Sequence, residues 1–344
     1  MRNVSGTRLL LAAAVAALAL TGCPKGGLPG ANRVPGGGNL PGGLGGESGM
    51  VDPNTCGNYA ASDAGRKLKN FLVATQQLQK VSEETVQVVR QSCILIGNEL
   101  GMTEADYKGE TKDICAKVYG TIQDNMKVAF KGQAALKVKY TPAVCRVDAR
   151  AQAEAAAQCE GKASADIQAT CSGTCRGTCE GTCAGKAGTG GSGGQCAGQC
   201  NGTCRGECEG HADVNASAQC KAHASVEASV NVQCTEPELD IQADAKLVVD
   251  KAKAEMTIRA LKAGLPKILS VKARLDPLKY AVESWAFAAK DLKDSAGTLA
   301  ASFKDQAMCI SGQIAAAASL ISQIQVNVSV SVEVSASASG TIGG

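Results

Sequence analysis

Apolar and polar positions alternate along this chain in two different rhythms, arranged in blocks. Between residues 55 and 143 the apolar positions recur every three or four residues. Leu68, Phe71, Leu72, Thr75, Leu78, Val81, Val86, Val89, Cys93 and Ile96 form one stripe, which predicts a helix over 62–97. A turn over 97–109 follows. Ile114, Val118, Ile122, Met126 and Phe130 predict a second helix over 111–139, closed by Pro142. From 145 to 185 the period changes to two. Small or apolar residues hold nearly every odd position, from Cys145 and Val147 through Ala149–Ala157 to Cys183 and Gly185. After a turn the parity switches, and Cys196, Gly198, Cys200 and their successors to Val232 are even. Successive side chains of a strand point to opposite faces, so each segment reads as a strand with one face of small residues.

Residues 236–324 return to the helical rhythm. Thr235 and Glu238 have the spacing of a capping box, with Pro237 in the first turn. Leu247, Val248, Met256, Ile258 and Leu261 give a stripe, and Pro266 and Pro277 are expected to break it. Leu278, Val282, Trp285, Ala289 and Leu292 continue on a later helix. Leu299, Phe303, Met308, Ile310, Ile314, Ala318 and Ile321 make the last one. The tail over 325–344 alternates again, with Val326, Val328, Val330, Val332 and Val334 on one face. It predicts a strand that pairs near 226–232 and completes a three-stranded sheet there.

The cysteines change this picture most. Twelve of the seventeen lie between Cys145 and Cys234, and their spacing is a palindrome. Cys145, Cys159, Cys171, Cys175, Cys179 and Cys183 step forward by 14, 12, 4, 4 and 4 residues; Cys196, Cys200, Cys204, Cys208, Cys220 and Cys234 mirror those steps. Paired from the outside inwards, the two residue numbers of every pair add to 379. Opposed residues of an antiparallel hairpin have a constant sum, and their Cα separation of about 4.5–5.5 Å admits a disulfide. Six cross-strand disulfides follow: 145–234, 159–220, 171–208, 175–204, 179–200 and 183–196. The turn is placed in the glycine-rich stretch 186–194. A fully extended strand of this hairpin would reach roughly 130 Å at about 3.3 Å per residue. The outer pairs would also fix the register that a repeat of four leaves open to slippage.

Other readings of this block remain. The four-residue spacing also suits one face of a helix, against which stands Gly at about 1 kcal/mol per interior position. A thiolate cluster of the metallothionein kind is a third, although zinc sites favour C-x-x-C knuckles. Locally, the alanine-rich stretch Ala149–Ala157 also admits a helix, as an alternative to the strand read above. Outside the block, Cys93 and Cys115 lie at equal distances from the expected turn and should bond across the helical hairpin; Cys56 and Cys309 are then left to each other.

The N-terminus carries an address. Arg2 and Arg8 precede an apolar core at 9–20, and Leu20-Thr21-Gly22-Cys23 resembles the lipobox of bacterial lipoproteins. The resemblance covers the export signal alone, residues 1–22. It implies cleavage before Cys23, diacylglycerol on the Cys23 sulfur and a fatty acyl group such as palmitate on its amine. Pro24 follows, without the Asp that marks inner-membrane retention in this class, so the resemblance implies the outer membrane. Residues 23–54 then read as a Gly/Pro-rich tether. No apolar run beyond the leader reaches the length of a spanning helix.

Charge and chemistry add mainly exclusions. Without Arg2 and Arg8 the chain has 33 basic and 32 acidic residues, so it offers no field for nucleic acid. With Cys23 acylated, sixteen cysteines remain, an even number suited to an oxidising compartment. His211 and His223 are the only histidines, and their strand parity turns both outwards and about 40 Å apart. The chain has no serine elbow, P-loop or dinucleotide fingerprint. Neither a catalytic residue nor a metal or cofactor is therefore expected.

The expected architecture is α+β. An antiparallel helical bundle, built from 55–143 and 236–324, carries a long cystine-laddered β-hairpin arm over 144–235, and the strand at 325–344 joins its base. The expected role is a non-catalytic envelope lipoprotein, a spacer, adhesin or assembly component. It would hold a membrane through its lipid and meet a protein partner or a second copy through the arm. The alternative is a membrane-perturbing or ligand-binding helical protein with a β-tongue.

Overall fold

A computed structural model describes residues 51–131, 136–187, 194–303 and 306–343. The leader, Cys23, most of the tether and the centre of the expected turn at 186–194 lie outside the described residues.

The first helix, α1 (Asp63–Glu99), starts where Ser62 accepts a hydrogen bond from the Gly65 amide at 3.0 Å. It buries Leu68, Phe71, Leu72, Leu78, Val89 and Ile96, members of the predicted stripe. The second, α2 (Thr111–Ala129), is shorter than expected. Residues 136–139, assigned to it above, open strand β1 (Leu136–Thr141) instead. Cys93–Cys115 ties α1 to α2.

The region 145–234 is nested like its cysteines, and only partly a hairpin. Strand β2 (Cys145–Asp148) leads into helix α3 (Ala149–Glu160), then β3 (Ala169–Cys171) and β4 (Thr174–Ala187). The return path is β5 (Gly194–Glu209), β6 (Ala212–Val214), helix α4 (Ala218–Val230) and β7 (Gln233–Cys234). β2 pairs with β7 in the register the cysteines predict, Cys145↔Cys234, whereas β3 pairs with β6 four residues out of it, Cys171↔Ala212. Between these pairs α3 packs on α4, joined by Cys159–Cys220. The strand expected over 149–157 and 222–232 is thus two helices. Alternating alanines cannot distinguish the two periods, because alanine packs on a helix face as readily as on a strand. The ends decide it. Asp148 accepts from the Arg150 and Ala151 amides, and Gly161 closes α3 at φ +69°.

The second helical region also departs from expectation at both ends. Glu238 opens strand β8 (Glu238–Ala243), which pairs with β1 in an antiparallel ribbon from Leu136↔Ala243 to Thr141↔Glu238. Thr235 caps no helix. Its hydroxyl accepts from the Val144 amide at 2.9 Å, and its amide donates to the Val144 carbonyl. Helix α5 (Lys251–Ala301) runs through both Pro266 and Pro277. Each interior proline costs about 3 kcal/mol. Leu265, Ile268, Leu269, Leu275 and Leu278 are buried around them, at about 1.5–3 kcal/mol each, and outweigh that cost. The stripe expected over 299–321 divides: Leu299 lies in the last turn of α5, and Ile310 and Ile314 lie buried on α6 (Ala307–Ser319), where Met308 stands exposed. Cys56–Cys309 staples the entering chain to α6.

The tail is a helix, α7 (Ile321–Gly343), not a strand, and no sheet at the base of the arm includes it. Its buried line is Ile324, Val328, Ser331, Ser335 and Ala338, spaced by four and three. Two members are serines, so apolar residues alone show period two. The Ser331 hydroxyl donates to the Asn327 carbonyl at 3.0 Å, which lets a polar residue lie inside. The stretch Ala307–Ser339 is also long and apolar enough to cross a membrane by length and composition, against the expectation that no apolar run beyond the leader reaches that length. Among the described residues the architecture is α+β. A helical core holds α1, α2, α5, α6 and α7 with Trp285 inside, and a second core of cysteine and alanine lies under the arm.

The cysteine coil as candidate functional site

The twelve cysteines of the palindrome join in the six predicted pairs. The innermost four form the arm proper, from Cys171–Cys208 at its base through Cys175–Cys204 and Cys179–Cys200 to Cys183–Cys196. Their Cα separations are 5.6, 6.0, 5.7 and 5.8 Å.

The register is not the one the cysteine spacing implies. Opposed residues of β4 and β5 add to 383: Cys175↔Cys208, Cys179↔Cys204, Gly181↔Gly202 and Cys183↔Cys200. Each disulfide therefore joins a cysteine to one four residues away from its backbone partner. The strands also meet twice. Cys175 pairs with Cys208 on one edge and with Gly198 on the other, while Gly198 pairs with Cys175 and Gly185. A residue has two edges and pairs once on each, so over Cys175–Cys179 and Cys196–Gln199 each strand is flanked on both sides by the other, while β2 takes the second edge of β5 at Glu207–Glu209. The ten residues between Cys175 and Gly185 make one turn. The ribbon is wound into a closed two-strand coil, and its small-residue face lines the inside. A flat ribbon staples opposed residues; a wound one bonds across its interior.

Burial follows from that winding. Cys175, Cys179, Cys200, Cys204 and Cys208 are at most 2% exposed. The inward glycines let the backbones touch. A Cβ on Gly206 would lie 2.4 Å from the Arg176 carbonyl oxygen, so no larger residue fits. Outside, Arg205 Nε meets Glu180 at 2.5 Å and Arg176 Nε meets Glu209 at 2.8 Å. These pairs face solvent and contribute at most about 1 kcal/mol each. The extended arm of about 130 Å is not formed, because the strands are short and wound.

At the neck of the arm a polar cluster holds it to α5. The His211 ring stacks on Tyr280 with centroids 4.1 Å apart, and its Nδ1 lies 3.3 Å from Asp276. Lys221 pairs with Asp213 at 2.5 Å and lies over the Tyr280 ring. Burial, and then the Asp213 carboxylate, push the Tyr280 phenol well above its ordinary value. None of Tyr280, Asp276, Lys221 or Asp213 was singled out from the sequence, since their approach depends on α5 running unbroken through Pro277. Nearby, the Glu160 carboxylate accepts from the Ser217 amide at 2.6 Å and pairs with Lys67 at 2.9 Å. Burial pushes its pKa up, but Ser217 and Lys67 together outweigh that and hold it at about 2.

The two histidines do not face out as strand parity predicts. His211 packs at the neck, and His223 sits on helix α4, where parity has no meaning, with its Nδ1 buried. Burial lowers the His223 pKa from 6.5, against the opposing Glu227 carboxylate. The unfolded chain then takes up a proton before the folded one does. The contribution to stability is whole above about pH 6.5 and declines as pH falls towards the folded pKa. We expect His223→Gln to flatten the fall in urea midpoint below pH 6.5 relative to the parent; identical pH profiles would refute this assignment.

The Sγ atoms of Cys171, Cys175 and Cys204 all lie within 4.8 Å of one another, a spacing that thiolates could use for a metal. All three are in disulfides, whose sulfurs carry no thiolate charge. Comparison with known proteins gives no match: no family model, no curated protein and no solved structure resembles this chain.

Proposed function

We propose that this chain is a non-catalytic lipoprotein of a bacterial envelope, anchored through acyl groups on Cys23, that presents the cystine coil to a protein partner or a second copy. One observation carries the reading: all sixteen cysteines after Cys23 are consumed in eight disulfides, a state that belongs to an oxidising compartment. The leader supports it with an independent export signal ending at a cysteine. The wound arm adds a rigid body whose charged exterior keeps it in water. Outer-membrane placement follows from Pro24 after Cys23, on the lipoprotein resemblance alone.

The test is incorporation of a clickable palmitate analogue in bacteria expressing the full chain. Labelled protein should appear in the membrane fraction, and Cys23→Ser should abolish the label and move the protein out of that fraction. Unchanged labelling or unchanged membrane association of Cys23→Ser would end the proposal. A photocrosslinker on the exposed arm, at Thr182, would then capture whatever the coil meets.

One observation favours the membrane-perturbing alternative, the apolar stretch Ala307–Ser339. Its exposed positions on α7 include Ser322, Gln323, Gln325 and Ser329, which are poorly suited to lipid. Leakage of dye from vesicles would revive it.

A further inference from the structure

We propose that the coil is a thiol–disulfide relay, in which a dithiol that reduces the tip at Cys183–Cys196 liberates a thiol at the base, on Cys171. This goes beyond the lipoprotein reading, gives the coil a thiol-exchange activity where that reading leaves the chain non-catalytic, and does not depend on the lipid anchor. The inference rests on the mismatch between bonding and register. Every cysteine of β4 is bonded to one residue of β5 while its backbone stands opposite the β5 cysteine of the next rung. Opposed residues of an antiparallel pair lie about 4.5–5.5 Å apart at Cα, within the span of a disulfide. A second set of bonds, 175–208, 179–204 and 183–200, is therefore available without any movement of the strands. At the base the two neighbouring rungs are also close, with the sulfurs of Cys171, Cys175 and Cys204 within 4.8 Å of one another, and the register that sets Cys175 opposite Cys208 directs its attack to Cys208.

The chemistry balances. A dithiol from a partner protein reduces Cys183–Cys196, the rung with the more exposed sulfur at Cys183, and becomes a disulfide itself. The Cys183 thiolate then attacks Cys200 and expels the Cys179 thiolate. Cys179 attacks Cys204 and expels Cys175. Cys175 attacks Cys208 and expels Cys171. Each exchange makes one S–S bond and breaks one. Two electrons and two protons enter at the tip, and the products are thiols on Cys196 and Cys171. Cys175, Cys179, Cys200, Cys204 and Cys208 are buried, which keeps an external thiol from competing for the intermediates. The class of substrate is a protein dithiol at the tip, and the class of acceptor is a disulfide near the base.

The oxidised full chain, treated with one equivalent of dithiothreitol, alkylated and mapped by mass spectrometry, tests the relay. Alkyl groups are expected on Cys171 and Cys196, with links 175–208, 179–204 and 183–200. Alkylation of Cys183 and Cys196 with the other rungs unchanged would overturn the relay, and so would simultaneous opening of all four rungs. Cys196→Ser provides a second test without reductant. The relay places its free thiol on Cys171, and a free thiol on Cys183 refutes it.

Discussion

Gly181→Ala is expected to prevent the tip of the coil from closing. Gly181 has φ +156°, and a Cβ there would lie 2.1 Å from the Asn201 carbonyl oxygen and 2.9 Å from the Gly202 Cα. Both obstacles are backbone, held by the strand pairing that defines the coil, so neither can swing aside as a side chain would. Steric overpacking and a forced backbone conformation cost about 1–3 kcal/mol each. Gly181 stands between Cys179 and Cys183, so the rungs on either side of it should fail together. After oxidative folding, alkylation should mark Cys179, Cys183, Cys196 and Cys200, while 145–234 and 159–220 remain bonded. Gly120→Ala is the control. Gly120 lies in α2 with nothing within 4 Å of the added carbon, and alanine there should stabilise the helix by about 0.5–1 kcal/mol. If Gly181→Ala oxidises as completely as the parent, the wound register is wrong.

That contrast between two glycines shows what the sequence could tell and what it could not. The pairing of cysteines was legible because a palindrome constrains topology whatever the local structure. Cys159 and Cys220 bond between two helices as readily as they would between two strands. The register was not legible, because the spacing of bonded cysteines need not equal the spacing of opposed backbones. Those coincide at Cys145↔Cys234, where the ribbon is open, and part by four residues where it winds. The helices α3 and α7 were hidden by residues that satisfy two periods at once, alanine in the first and serine in the second. The long α5 was hidden by Pro266 and Pro277, whose local penalty is plain in the sequence. The leucines that outweigh it become decisive only when other helices cover them. The neck cluster around Tyr280 followed the same fate, since its residues come from three separate elements and the loop between β5 and β6.

Trp285→Ala should cost the helical core about 3–5 kcal/mol, the range for removing a fully buried large aromatic side chain. Trp285 has no exposed surface, and its ring stacks nearly parallel on Phe71 with centroids 6.4 Å apart. Its Nε1 donates to the Thr75 hydroxyl at 2.8 Å, and that hydroxyl donates to the Phe71 carbonyl at 2.9 Å. One side chain thus joins α5 to α1 through both a face and a hydrogen bond. Trp285→Phe keeps most of the volume and loses the bond, so about 1 kcal/mol is expected. The midpoint of urea unfolding, followed by helical circular dichroism, should fall in that order. The arm should respond differently. Its core of cysteine and alanine is separate from the core that holds Trp285, and its cross-links restrict the unfolded chain. Disulfide mapping of Trp285→Ala should therefore give the parental rungs even where the helices have melted. Scrambled rungs in that variant would mean that the coil depends on the bundle to set its register, and the two cores would have to be treated as one.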